Sequence, residues 1–240
     1  MKFQRVTLAN CAAASGTVVV IDVLRAFSTA AYAFAAGVKE IILTGEVDEA
    51  LGLHQRFPGS YVMGEVGGLP AKGFDFGNSP AQFAGWDLRG RRLIQRTSAG
   101  TQGVVLSAQA EILLASSFVC ARATAEYLGW LNPPQVTFVI SGAGPLQQAD
   151  GKPVGEGDED AACADYLEAL LHGLSPDTAP FIRRVRESPD GQVHVDPAQP
   201  FYVATDLDDC TQIDRFDFAM QVRRQDGLLV MHKVTELYRR

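Results

Sequence analysis

Val18-Val19-Val20-Ile21-Asp22-Val23-Leu24-Arg25 sets how the rest of the chain is read. Its β-branched run, apolar at successive positions, fits a strand buried on both faces, as in sheets covered by helices. An Ala-rich helix follows across Phe27–Gly37, with Gly37 as its stop. Outward from there the unit returns as strand Glu40–Leu43, helix Val47–Phe57 ending before Pro58-Gly59, and short strand Tyr61–Met63. Leu93–Gln95, Ile112–Leu114 and Val136–Ile140 are further strands, each followed by a loop and helix-like sequence. This alternation predicts an α/β fold whose sheet is largely parallel or mixed and covered by helices.

From Ser175 the character changes, with Pro176, Pro180, Pro189, Pro197 and Pro200 punctuating a more polar region. Asp226-Gly227, between two alternating runs, predicts an antiparallel hairpin near the C-terminus. The hairpin is expected to close a sheet edge or to form a smaller lobe. One domain over residues 1–240 is expected, or two closely packed lobes, an α/β core over 1–174 and a smaller part over 175–240.

The 240 residues suffice for such a core, and 47% apolar with 20% charged residues is an ordinary globular composition. A formal net charge of -7 argues against a nucleic-acid partner. No apolar run is long enough to span a bilayer without meeting a charge, so no membrane partner is expected. Lys2 and Arg5 before Val6–Ala14 superficially resemble a secretion signal, but Asn10 breaks the run and a first strand is the preferred reading. Cys11, Cys120, Cys163 and Cys210 are scattered without C-x-x-C spacing, which points to reduced thiols in the cytoplasm. The oligomeric state is open, and a homo-oligomer is compatible with the sequence.

In α/β folds ligands bind at the loops after the strands' carboxyl ends. Asp22 stands at such an end with Arg25 three residues on, reading equally as a metal or cation site and as an ion pair or helix N-cap. Gly64-Glu65-Val66-Gly67-Gly68 and Gly73-Phe74-Asp75-Phe76-Gly77-Asn78-Ser79-Pro80 share a long Gly-rich loop in which Glu65 and Asp75 add carboxylates. Asn78-Ser79-Pro80 also fits a helix cap. Arg96-Thr97-Ser98-Ala99-Gly100-Thr101 opens a helix with hydroxyls and amides that suit phosphate, or with plain N-capping by Ser98 or Thr101. It lacks the Lys of a Walker loop. Glu156-Gly157-Asp158-Glu159-Asp160 precedes the helix Ala161–His172; its acids complement the helix dipole, yet three in a row call for a cation. Together the carboxylates are a hard oxygen set of the kind magnesium prefers. His54, His172, His194 and His232 lack metal spacing and read as surface or capping residues. Ser141-Gly142-Ala143-Gly144 only faintly matches a dinucleotide turn.

Read in order, Val20-Ile21-Asp22-Val23-Leu24-Arg25-Ala26, Gly64-Glu65, the Gly73–Pro80 block, Thr97–Thr101, Ser141–Gly144 and Glu159–Ala164 resemble the 2-phosphosulfolactate phosphatase family, known from coenzyme M biosynthesis. Asp209-Cys210 with Asp214 is a looser match, and the likeness covers nearly the whole chain. The resemblance implies hydrolysis of a phosphomonoester of a small hydroxy acid, 2-phosphosulfolactate to sulfolactate and phosphate, with Mg2+ as cofactor. By position it nominates Asp22, Glu65, Asp75, Glu159 and Asp160 as acidic and metal candidates. Asp22 and Arg25 are the catalytic pair, with Arg25 offsetting charge on the phosphoryl oxygens. Ser28, Asn78, Ser79, Thr97, Ser98, Gly100 and Thr101 are the substrate-binding candidates. Ala99 stands where the family pattern suggests Asn, and Phe27 makes the wall after Arg25-Ala26 more apolar. These departures keep a second reading open, a non-catalytic binder of small phosphorylated or sulfonated anions.

Overall fold

A computed structural model describes residues 1–142 and 157–235. Among them, strands β1 (Lys2–Thr7), β2 (Gly16–Ile21), β3 (Glu40–Thr44), β4 (Tyr61–Val66), β5 (Leu69–Pro70), β6 (Arg92–Arg96), β7 (Ala110–Ser116), β8 (Gln135–Ile140), β9 (Ala219–Gln225) and β10 (Leu228–Val234) form one sheet in the order β1-β8-β2-β7-β9-β10-β3-β6-β4-β5. Helices α1 (Ala26–Ala35), α2 (Val47–Arg56), α3 (Gly100–Leu106), α4 (Ala121–Leu131), α5 (Asp158–Leu171), α6 (Ala179–Glu187), α7 (Pro189–Val193) and α8 (Ala204–Cys210) surround it. The expected α/β class with a mixed sheet is what the chain adopts.

β1, β8, β2 and β7 are mutually parallel, and so are β3, β6 and β4. The C-terminal hairpin joins these groups, with β9 antiparallel to β7 and β10 antiparallel to β3. The expectation of an edge-closing hairpin or a small lobe is therefore corrected: the hairpin lies in the middle of the sheet. Its turn does form at Asp226 and Gly227, both at positive φ (51° and 81°) as a two-residue hairpin turn requires. Near the N-terminus, Lys2–Thr7 is the first strand and pairs with β8 in register, Lys2 opposite Gln135.

The antiparallel steps through the hairpin reverse β6 relative to β2, so a flat sheet would place their carboxyl ends on opposite edges. They meet nonetheless. Gln95 at the end of β6 donates to the Ala26 carbonyl at the start of α1 over 2.9 Å. Right-handed twist of roughly 20–25° per step, accumulated over the steps from β2 to β6, turns the two ends toward each other. α1 fills the space between the curled halves. Ala26, Phe27, Ala30, Ala31, Ala33 and Phe34 are buried in one core with Val18 and Val20 of β2, Ile41 of β3 and Leu93 of β6. A helix apolar nearly all round is stable only when enclosed in this way. The outer face of β2, β7 and β8 packs on α4 and α5, and the outer face of β3, β4 and β6 packs on Ala50 and Leu53 of α2.

Candidate active site

Asp22 leaves β2 at this convergence and is buried. Its Oδ1 accepts the Ala26 N–H at 2.8 Å, which also tethers the start of α1. The Leu24–Arg25 peptide between them is cis. Burial pushes the Asp22 carboxyl up to about 6, and the Glu65 charge adds to this while the Ala26 N–H, Gly100 N–H and Ser141 hydroxyl pull it down. A Cβ on Gly100 would stand 2.7 Å from Asp22 Oδ2, so only glycine lets the opening of α3 press against that carboxylate.

Asp160, in the first turn of α5, joins the ends of β2 and β8. Its Oδ1 accepts the Val23 N–H at 2.8 Å, and its Oδ2 accepts the Gly142 N–H at 2.9 Å and the Ser141 hydroxyl at 3.1 Å. Burial, then the charge of Asp22, holds its carboxyl well above the usual range. Glu159 beside it is 3% exposed, and its Oε2 has no hydrogen-bond partner among the described residues. Burial, then the charges of Asp160 and Asp190, raises it as well. Three buried carboxylates therefore repel one another in one place. Acidic residues favour a helix N-terminus, but the dipole alone leaves this repulsion uncompensated.

Glu65, at the end of β4, is compensated by contrast. It accepts from the Ser98 N–H, from the Ser98 hydroxyl at 3.0 Å and from the Gly68 N–H at 2.6 Å. Gly64 permits this approach: it sits at φ 133°, and a Cβ there would fall 1.8 Å from the Arg96 carbonyl oxygen. The Thr97–Thr101 loop is closed on itself. Thr97 Oγ1 accepts the Thr101 N–H, and Thr101 Oγ1 accepts the Thr97 N–H and donates to the Thr97 carbonyl. Of the loop amides expected to cradle phosphate, those of Ser98 and Gly100 are directed at Glu65 and Asp22, and those of Thr97 and Thr101 at each other's hydroxyls. Ala99 occupies the N-cap position of α3, with no capping side chain.

Arg25 forms a second wall, lining a cavity with Glu65, Asn78 and Ser79. It is 5% exposed, and its Nη1 donates to Asp206 Oδ2 at 2.7 Å and to the Phe201 carbonyl at 3.2 Å. The guanidinium also lies over the Tyr202 ring, 4.7 Å from its centroid. The local Asp22–Arg25 ion pair is thereby replaced by a distant one. Ser79 does not cap the turn after it; its hydroxyl donates to Asp206 Oδ1 at 2.7 Å. Asn78 is buried with Oδ1 lacking a partner among the described residues. Ser28 lies under the wall, bonded to the Val23 carbonyl and to Ser117.

Asp75 stands apart from the buried carboxylates. It is exposed, accepts the Val62 N–H at 2.8 Å and lines a separate groove with Phe74 and Trp86. Ala143, Gly144 and Glu156 lie outside the described residues. His194 corrects the surface expectation, being 3% exposed. Its Nδ1 lies 2.8 Å from the Asp190 carbonyl oxygen, which can only accept, so Nδ1 carries the proton and Nε2 is an acceptor without a described partner. Burial lowers its pKa and keeps the ring neutral. Asp190, Tyr202 and Asp206 escaped the sequence reading, and His194 entered it only as a surface or capping residue. The one available signal was the polar, Pro-punctuated segment that holds them.

Among the described residues no three His, Cys, Asp or Glu side chains are arranged as a ready-made metal cage. Magnesium does not require one, since it is commonly held by one or two carboxylates together with waters and substrate oxygens. The unpartnered Oε2 of buried Glu159, beside Asp22 and Asp160 with raised pKa values, fits such a cation.

The model of the family described as 2-phosphosulpholactate phosphatase matches residues 4–225. A Bacillus subtilis (strain 168) protein named "Probable 2-phosphosulfolactate phosphatase" is 34% identical over 210 residues, 87% of each chain. A Carboxydothermus hydrogenoformans protein of the same name is 32% identical over 224 residues, 89% of each chain. A match of this extent, with the β2, β4, β6 and β8 ends gathered around buried carboxylates, shows that the chain belongs to the 2-phosphosulfolactate phosphatase family of phosphoric monoester hydrolases.

Proposed function

We propose that this chain catalyses the magnesium-dependent hydrolysis of 2-phosphosulfolactate, the phosphomonoester of a small hydroxy acid, to sulfolactate and phosphate. The observation that carries the reading is the buried trio Asp22, Glu159 and Asp160 with Glu159 Oε2 unpartnered. Glu159 and Asp22 would hold the ion, while Asp160, committed to Val23, Ser141 and Gly142, fixes the loops around it. When bound, magnesium supplies polarisation of a phosphoryl oxygen. In the same reading Asp22, a buried carboxylate at the end of β2, is the base toward an attacking water. Arg25, three residues from Asp22 in sequence, would bring positive charge to the substrate's anions. A place in coenzyme M biosynthesis belongs to the same proposal. So does a cytoplasmic location, with which four buried free cysteines agree.

Phosphate release from 2-phosphosulfolactate, measured with magnesium and with a chelator, tests the reading. Magnesium-dependent release is the expected result. The non-catalytic reading, kept open by Ala99 and Phe27, predicts tight binding without turnover; that outcome, or equal release with chelator, would overturn the proposal.

A further inference from the structure

Behind Arg25 lies a segment that links distant parts of the chain. Asp206, fully buried, accepts from Arg25 through Oδ2 and from Ser79 through Oδ1, tying α8 to the start of α1 and to the turn at Ser79. Tyr202 places its ring against the guanidinium. Its hydroxyl rests on Gly68, where an added Cβ would meet that oxygen at 1.7 Å and where φ is +80°. His194 packs edge-on behind Tyr202 with ring centroids 5.3 Å apart. Arg25 is thus fixed on its Nη1 side, while no described hydrogen bond uses Nε or Nη2. The guanidinium lines a cavity of about 140 Å3 with Asn78, Ser79, Gly68, Glu65 and Phe201. Glu65 is the anion in that lining, and both its oxygens are held by Ser98 and Gly68. Asn78 Oδ1 is also buried there without a described partner; as an acceptor it does not itself hold an anion, so the anion-binding group of the lining is Arg25. Asp22, Glu159 and Asp160, where a cation and the phosphoryl group would sit, do not line this cavity.

We propose that this cavity is the subsite for the substrate's non-phosphate acid group, a sulfonate or carboxylate read by Arg25, and that Asp206 and Tyr202 are its positioning residues. A guanidinium anchored on one side and over one face loses little further freedom when it binds an oxyanion with the other side. The proposal rests on the phosphatase reading for its substrate, but the subsite can be probed without turnover.

The test uses the full chain and its Tyr202→Leu, Tyr202→Phe, Gly68→Ala and Asp206→Asn variants. Kinetics are measured on 2-phosphosulfolactate and on p-nitrophenyl phosphate, which lacks the second acid group, and sulfolactate binding is measured by titration calorimetry. Tyr202→Leu, Gly68→Ala and Asp206→Asn are expected to raise KM for 2-phosphosulfolactate about tenfold. The same variants should leave kcat within about threefold and KM for p-nitrophenyl phosphate near wild type. Tyr202→Phe keeps the ring and should recover most of the affinity that Tyr202→Leu loses. Equal losses on both phosphomonoesters would assign Arg25 to the phosphate and overturn the proposal. So would parallel falls in kcat and melting temperature, which a merely structural role would give. If the wild type turns over neither ester but binds sulfolactate about tenfold tighter than Tyr202→Leu does, the phosphatase reading fails and the subsite stands. If the wild type does not bind sulfolactate, the subsite falls.

Discussion

The two walls differ in how their charges are balanced. On one, Arg25 and Asp206 are buried together, and Asp206 also receives the Ser79 hydroxyl. On the other, Asp22, Glu159 and Asp160 are buried against one another, and Glu159 Oε2 has no described partner. A buried charge without a partner is costly, and the chain keeps this cost where a cation would relieve it. On the proposed reading the satisfied wall holds geometry and the strained wall holds chemistry. The largest test of that division is Asp22→Asn, which preserves shape and removes the charge. Magnesium-dependent phosphate release should fall about a thousandfold, equivalent to about 4 kcal/mol of lost transition-state stabilisation. Without metal the variant should melt no lower than wild type, because it removes repulsion. Activity near wild type would take Asp22 out of the mechanism.

Truncation on the satisfied wall should do the reverse. Asp206→Ala leaves Arg25 buried without its carboxylate and Ser79 without its acceptor. A loss of about 3–5 kcal/mol in unfolding free energy is expected from urea denaturation. An Asp206→Ala protein as stable as wild type would show that solvent reaches Arg25 freely, and the contrast between the walls would disappear.

The two walls were also unequally legible. Asp22, Glu65 and Glu159-Asp160 follow apolar strands or open a helix, so a local pattern marks each of them. Asp206 meets Arg25 across 181 positions, and no local pattern in the Pro-punctuated segment encodes that meeting. The same limit explains the hairpin. Asp226-Gly227 specifies a turn, but the pairing of β9 with β7 and of β10 with β3 depends on which edges the rest of the sheet leaves open. Ser79 before Pro80 has the form of a cap, yet the Ala81 N–H that a cap would accept goes instead to Asp206 Oδ1, to which the Ser79 hydroxyl also donates. His194 looked like a surface residue because burial by α7 and the Tyr202 ring is a tertiary event. The carboxylate trio itself was readable only as separate clusters, because the docking of the α5 first turn on the ends of the neighbouring strands β2 and β8 joins positions far apart in sequence.

The strained wall should also show in the pH dependence of stability. The Asp22 carboxyl is raised from 3.8 to about 6 on folding, so the folded state binds its proton more tightly than the unfolded state. Its contribution is fully present below about pH 4 and is lost as pH rises through about 6. In the metal-free protein this single group should remove on the order of 3 kcal/mol between those limits. Glu159 and Asp160, shifted the same way, add to the fall. On the proposed reading magnesium would compete with the proton for the same oxygens, so its stabilisation should be large at pH 7.5 and absent at pH 4.5. Thermal melts at both pH values, with magnesium and with chelator, check this. Magnesium stabilisation independent of pH would place the ion away from the carboxylates.

Gly100→Ala asks how closely the strained wall must be packed. The added Cβ would stand 2.7 Å from Asp22 Oδ2 and 2.8 Å from the Ala26 Cβ. Both neighbours are fixed, Ala26 by α1 and Asp22 by its bond to the Ala26 N–H, so the opening of α3 has to retreat. The retreat withdraws the Gly100 N–H that helps hold the Asp22 charge, and it shifts the carboxylate by a fraction of an ångström. Displacements of about 1 Å at a reacting centre can cost about a hundredfold in rate, so kcat should fall by up to that factor. The KM for 2-phosphosulfolactate should move little, because Arg25 and Tyr202 lie on the other wall. A Gly100→Ala protein whose KM rises while kcat holds would mean that the α3 loop touches substrate, and the division between a wall for chemistry and a wall for geometry would have to be redrawn there.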